Sequence, residues 1–216
     1  MAHPIEGWAI SFVASNIFLG AGNRAAIFLN IKTYVNNEGL KQLLDGCLKN
    51  DRRSQGALYD QFYGYALSVA LPYCAHEEEA REVISDAFLK VFNSIGRYDP
   101  TYAFATWLRT IVVRTAINRF KSRQKEIVFS DLTEGLDVFL EDDFISKMAA
   151  EDVLRLVQKL PPAYRMTLNL FALEGYSHAE IAEMLGVSVG ACKSNLSKAK
   201  SRLKQMMTDL IPTKYG

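Results

Sequence analysis

The chain has 216 residues, 49% of them hydrophobic and only six proline, a balance that excludes a disordered protein and suffices for one large domain or two small ones. Its 25 basic and 24 acidic residues nearly cancel to a formal charge of +1, so the informative quantity is where each sign collects along the chain. Cys47, Cys74 and Cys192 form no CxxC pair and stand at no ligand spacing to His3, His76 or His178, which argues against a disulfide framework or a zinc site.

Scattered, apolar-flanked cysteines of this kind are expected as small core residues in a reducing cytosol. The first stretch of the chain, "GWAISFVASNIFLGAGN" between Glu6 and Arg24, is uncharged but 17 residues long. That is short of the roughly 20 apolar residues a membrane span needs, and no basic segment precedes it as in a secretory signal. It reads as an extension of unknown role, with a membrane-surface segment or a misassigned start as the alternatives.

From Leu40 to Ala70, apolar residues recur at helical spacing in two runs, Leu43, Leu44, Cys47, Leu48 and then Leu58, Phe62, Tyr65, Ala66, Val69. Asn50, Asp51 and Gly56 punctuate them and Pro72 closes the unit. "AHEEEAREVISDAFLKVFNSI" then opens with three acids, which suit a helix amino terminus. Its stripe of Ala80, Val83, Ile84, Ala87, Phe88, Val91 and Ile95 predicts one buried face, with Glu79, Glu82, Asp86, Lys90 and Asn93 left outside.

"GRYDPTY" marks a turn, after which Phe104, Trp107, Leu108, Ile111, Val112 and Thr115 line a further helix. Between Arg109 and Lys125 there are six basic residues and no acid. Thr110, Arg114, Asn118 and Lys121 fall together opposite the apolar stripe, and so form a cationic face. From Glu126 to Asp152 the sign reverses: nine acidic residues meet a single Lys147 without sustained periodicity, the composition of a linker.

Helical periodicity resumes with Val153, Leu154, Leu156, Val157 and Leu160. Pro161 and Pro162 break it, and "AYRMTLNLFAL" continues as a helix that stops at Gly175. Ser177 with Glu180 is a capping box for the next helix; Gly186 suits a left-handed turn, and Ser188 can cap the helix after it. On this last helix Val189, Cys192, Leu196, Ala199 and Leu203 are the expected buried stripe.

The opposite side carries Gly190, Ser194, Ser197, Lys198 and Ser201, flanked by Lys193, Lys200, Arg202 and Lys204 with no acid between. Small residues allow close backbone approach, and the phosphate rims of a DNA major groove attract the flanking cations. No strand-like alternation longer than a few residues occurs, so the expected class is all-α. The sequence holds no glycine-rich phosphate loop, and no motif identifies a nucleophile with its base or a metal site; a non-enzymatic protein without a cofactor is expected.

"LEGYSHAEIAEMLGVSVGACKSNLSKAKSRL" resembles region 4.2 of the extracytoplasmic-function (ECF) group of sigma-70-type RNA polymerase sigma factors. "EEAREVISDAFLKVFNSI" followed by "FATWLRTIVVRTAINRFKSRQK" resembles their region 2. The resemblance implies residues 37–126 as region 2, 127–148 as an acidic linker and 149–208 as region 4, with 1–36 an extension and 209–216 a tail. It also implies the partners: core RNA polymerase, through the β′ clamp and β subunits, promoter DNA, and an anti-sigma factor as a further partner class, with a free cytoplasmic monomer.

By the same resemblance Ser188, Lys193, Ser194, Asn195, Ser197 and Lys198 face the −35 element. Arg97, Tyr98, Asp99, Arg114, Asn118, Arg119 and Lys121 hold the −10 element, and Asp86, Lys90 and Asn93 bind core polymerase. Many family members have arginine at the positions of Lys193, Asn195 and Lys198, and asparagine where Arg114 stands. Lysine lacks the forked donors that read guanine, so base preference here is expected to differ. Phe104 and Trp107 are expected in the core rather than as stacking platforms. Two other classes remain open on sequence: a dimeric helix-turn-helix regulator of palindromic duplex DNA, and a protein-interaction adaptor indifferent to the basic face.

Overall fold

The structure, a computed structural model, describes residues 38–124 and 150–214, with side chains described through Leu210. All regular structure among these residues is helical. The expected linker at 127–148 and extension at 1–36 lie outside the described residues.

Helix α1 (Glu38–Leu48) ends where Asn50 takes a left-handed φ of 58°, which asparagine tolerates better than most residues. Asp51 then caps α2 (Arg52–Ala70), accepting from the backbone N–H groups of Arg53 at 3.4 Å and Ser54 at 2.9 Å. This cap starts α2 ahead of Gly56, so that glycine lies inside the helix rather than between two runs. A 3₁₀ turn, Leu71–Tyr73, follows with Pro72 in its first turn.

Helix α3 (Glu77–Ser94) is capped by His76, whose Nδ1 accepts from Glu79 N–H at 3.3 Å. Its predicted apolar stripe is buried throughout. Glu79 departs from expectation: instead of lying outside it is buried, accepting from Ala75 N–H at 2.7 Å and pairing with Arg123. Two strong partners offset the cost of desolvating that carboxylate.

A second 3₁₀ turn (Ile95–Arg97) leads to α4 (Phe104–Gln124), which packs on α2 and α3. Phe104 is fully buried, with ring centroids 4.8 Å from Phe62, 5.4 Å from Tyr98 and 5.7 Å from Trp107. Burial on α4 is broader than the predicted single stripe, because Val113, Ala116, Ile117 and Phe120 are buried beside it. The helix lies between α2 and α3 and also touches a second unit, so more than one of its sides is covered, which the local sequence pattern does not reveal.

That unit comprises α5 (Ala150–Gln158), α6 (Pro162–Ala172), α7 (His178–Leu185) and α8 (Val189–Lys214), the last running past the expected boundary at 208. Val153, Leu156, Val157, Leu160, Leu168, Leu173, Leu196, Ala199, Leu203 and Met207 form a core of its own. A different set, including Met166, Leu170, Ile181, Leu185 and Cys192, is continuous with the core of α1–α4. The 3₁₀ turn at 71–73 lies against α5 and α6, and α4 touches α7. All three cysteines are buried free thiols, and burial pushes Cys74 up to about 12.

Candidate nucleic-acid interface

The turn between α7 and α8 is built by three local devices. Ser177 Oγ accepts from Glu180 N–H at 3.3 Å while the Glu180 carboxylate accepts from Ser177 N–H at 2.8 Å, closing the capping box predicted from sequence. Gly186 ends α7 at φ 70° and ψ 36°, and the N–H groups of Gly186 and Val187 return to the carbonyls of Glu183 and Ala182. Ser188 Oγ accepts from Ala191 N–H at 3.1 Å and starts α8.

A Cβ at Gly186 would meet nothing within 4 Å, so a substitution there is penalised by backbone conformation alone. Gly186→Ala is therefore expected to lower unfolding free energy by about 1–2 kcal/mol, read from the midpoint of urea denaturation. An unchanged midpoint would show that the turn does not need the left-handed residue.

On α8, Cys192, Leu196, Ala199 and Leu203 are buried as expected, but Val189 is 42% exposed. Val189 is the first residue of the helix, ahead of the point where α8 is covered. On the other side Ser188, Gly190, Lys193, Ser201 and Arg202 are exposed, whereas Ser194, Asn195, Ser197, Lys198, Lys200 and Lys204 are half-buried. Lys200 Nζ lies 5.8 Å from the Phe171 ring centroid, and that ring stacks on His178 at 5.1 Å. Burial, then the charges of Lys193 and Lys200, hold the His178 imidazole below its ordinary pKa and so favour its neutral form.

In the first unit, Arg97 and Asp99 are exposed and Tyr98 is half-buried. Asp99 accepts from Thr101 N–H at 2.9 Å, and that hydrogen bond lowers its pKa. Tyr98 donates its hydroxyl to the Tyr102 carbonyl at 2.6 Å, and its ring sits 5.3 Å from Trp107. The loop is thus tied at both ends of Tyr98, which leaves Tyr102 as its exposed aromatic, 67% accessible. Tyr102 follows Pro100 in a polar loop, which is the sequence signal that could have singled it out.

Along α4, Thr110, Arg114 and Asn118 are exposed and Lys121 is half-buried, the expected face. Arg114 lies ten residues beyond Phe104, about 15 Å along the helix from the loop. The cationic character of α4 is less free than its composition suggests. Arg119 pairs with Glu82 and, at 3.5 Å, with Asp86; Arg123 pairs with Glu79; Arg109 pairs with Glu174 of the second unit at 2.7 Å. A fraction of a helical turn separates an outward residue such as Asn118 from Arg119, which faces the acids of α3, and composition cannot distinguish such positions.

Asp86, Lys90 and Asn93 of α3 are exposed on one stripe. Lys90 Nζ donates to Thr115 Oγ1 at 3.0 Å, and Asp86 is shared with Arg119. Leu89 joins the stripe at i+3 from Asp86 and is 61% exposed. Its apolar character on an otherwise charged face was the sequence signal for it.

A chain built as two helical units, the second presenting a capped helix, glycine turn and basic second helix that is acid-free until Asp209, is a helix-turn-helix DNA-binding protein. Family models place it further. The model described as sigma-70 region 2 matches residues 58–126, and that described as sigma-70, region 4 matches residues 150–203.

Curated relatives agree. The RNA polymerase sigma-H factor of Pseudomonas aeruginosa is 26% identical over 183 residues, covering 79% of this chain and 95% of its own. RNA polymerase sigma factor YlaC of Bacillus subtilis is 30% identical over 157 residues, covering 70% and 90%. The ECF RNA polymerase sigma factor SigW of the same species is 22% identical over 183 residues, covering 79% and 98%. The chain belongs to the ECF group of the sigma-70 family of RNA polymerase sigma factors. It functions with core RNA polymerase to direct initiation at promoters, and the choice between sigma factor and dimeric regulator falls to the former.

Proposed function

We propose that residues 149–208 read the −35 element and residues 37–126 hold both core polymerase and the −10 element, joined by the acidic segment 127–148. Lys193, Ser194, Asn195, Ser197 and Lys198 enter the −35 major groove from α8, with Ser188 at its start. Arg114, Asn118 and Lys121 line the −10 strand beside the loop at Arg97, Tyr98 and Asp99. Arg119 contributes there once its acidic partners on α3 are engaged elsewhere. The free protein is a cytoplasmic monomer without enzymatic activity, the polymerase performs the chemistry, and an anti-sigma factor is its natural inhibitor class.

The observation that carries this reading is the run from Ser188 to Lys204, in which a capped helix presents small residues and five cations without an acid. In vitro transcription with purified core enzyme tests it: a transcript starting downstream of a −35/−10 template is expected, and none would overturn it. Asp86, Leu89, Lys90 and Asn93 form the polymerase-facing stripe. Asp86→Arg is expected to weaken core association about tenfold in an anisotropy titration, the cost of a like charge against a complementary surface. An unchanged dissociation constant would withdraw that contact.

A further inference from the structure

We infer that His178 is a phosphate-binding residue of the second unit, taking up a proton from solvent as α8 seats on promoter duplex. The inference rests on the reading of α8 as the −35 helix and adds to it a backbone contact from α7, which that reading does not use.

Three neighbours fix the imidazole at the edge of the basic face. The Phe171 ring of α6 stacks on it, with centroids 5.1 Å apart and planes 14° from parallel. Cys192 Sγ of α8 lies 3.6 Å from Nδ1, and the next residue on α8 is exposed Lys193, which the −35 reading places toward DNA. Lys200, about two turns further along α8, puts its Nζ 5.8 Å from the same Phe171 centroid. His178 is therefore held where the second unit gathers cations, and it is only half-buried. Among the described residues its other ring nitrogen, Nε2, makes no hydrogen bond.

The free protein favours the neutral ring. Burial, then the charges of Lys193 and Lys200, hold its pKa below the ordinary value. The acids of the adjoining stretches are turned to other partners. Glu174, which follows α6, accepts from Arg109 Nη2 and from the Tyr73 hydroxyl, each at 2.7 Å, while Glu180 on α7 is closed into the capping box with Ser177. Glu183 stands five residues on from His178, about 140° round the helix. Arg109, which α4 brings to the contact with this unit, is neutralised by Glu174.

DNA reverses that balance. Backbone phosphates brought to Lys193 and Lys200 cancel the field that opposes protonation, and a phosphate oxygen at Nε2 accepts a charge-assisted hydrogen bond from the imidazolium. A neutral ring with its proton on Nε2 accepts at Nδ1 from the Cys192 thiol; the added proton goes to Nδ1, which then donates to Sγ. With a low pKa in the free protein and a higher one in the complex, affinity is gained as pH falls through the interval between them and is constant on either side.

Holoenzyme reconstituted from core polymerase and the full-length chain tests this on promoter fragments between about pH 8 and pH 5.5, a range that brackets histidine titration. Relative to His178→Gln at the same pH, wild-type affinity is expected to rise about tenfold across the range, the gain from a one-unit difference between free and bound pKa. Calorimetry in two buffers of different ionisation enthalpy should show more protons taken up on binding by wild type than by His178→Gln. The slope of log affinity against log salt should steepen for wild type at the acidic end by about 0.9, one phosphate contact. The gain should be equal on altered −35 sequences, as a backbone contact requires. His178→Lys carries a fixed charge, so it should bind tightly throughout the range without the extra proton uptake, which separates loss of charge from loss of folding.

Parallel pH profiles and equal proton uptake in wild type and His178→Gln, with Lys198→Glu still weakening binding, would overturn the His178 contact alone. A gain confined to one −35 sequence would overturn phosphate as its target. Promoter binding untouched by Lys198→Glu would instead overturn the placement of α8 on which the contact depends.

Discussion

Lys198→Glu is expected to abolish transcription from a −35/−10 promoter while leaving the dissociation constant for core polymerase unchanged. Lys198 sits on α8 one turn past Ser194 and five residues past exposed Lys193, on the side opposite buried Cys192, Leu196, Ala199 and Leu203. Substitution by glutamate removes one phosphate-seeking charge and installs a repulsive one. Loss of a single phosphate contact lowers the slope of log affinity against log salt by about 0.9, and a reversed charge adds repulsion to that loss.

Because Lys198 is half-buried, part of any effect could come from its packed stem. Lys198→Gln keeps most of the stem and removes only the charge. It should retain native helicity, weaken holoenzyme binding to promoter fragments of every sequence to a similar degree, and show the reduced salt slope. Transcription by the glutamate variant at wild-type level would remove α8 from the −35 element.

Phe104→Ala is expected to destabilise the protein by about 3–5 kcal/mol, the range for truncating a buried aromatic. Phe104 is fully buried, and its ring meets Phe62 edge-on at 4.8 Å and Tyr98 edge-on at 5.4 Å. Edge-to-face contacts add about 0.5–1.5 kcal/mol to area burial for each pair, so this position exceeds an aliphatic one of similar volume. Against a total stability on the order of 5–15 kcal/mol, the loss is a large fraction.

The midpoint of guanidinium denaturation, followed by far-ultraviolet circular dichroism, reads it directly. A loss under about 1 kcal/mol would mean that the cluster collapses around the gap. The same ring supports Tyr98, so the variant links stability to function. In the folded fraction the loop at residues 97–102 loses its anchor, and strand opening at the −10 element should suffer more than initial promoter binding. Permanganate footprinting separates the two.

Much of the second unit was legible because its signals are local. Ser177 and Glu180 cap one another across three residues, and Gly186 takes a left-handed φ that a side chain opposes, so neither depends on distant chain. The stripe on α3 was equally legible, since one face packs on α2 and α4 and, Glu79 aside, the charged residues lie outside it. Gly56 was misjudged because the cap at Asp51, a few residues earlier, starts the helix first. Val189 was misjudged because periodicity says which side of a helix can be buried but not where along its length the cover begins.

Charge is less legible in this sequence than shape. Arg109, Arg119 and Arg123 count toward a basic run in sequence, yet each pairs with a carboxylate 37 to 65 residues away in the chain. Pairing of this kind depends on which helices become neighbours. Glu79 turned inward for the same reason, with Arg123 waiting on α4.

By itself the sequence determined the helical class, the helix-turn-helix with its caps, and the apolar stripes, because each arises from interactions within a few residues. The tertiary structure alone decided that the two units meet, that Glu174 joins Arg109 and Tyr73, and which cations stay exposed. Those outcomes come from side chains distant in the chain brought within hydrogen-bonding range, and no window of local periodicity contains both partners.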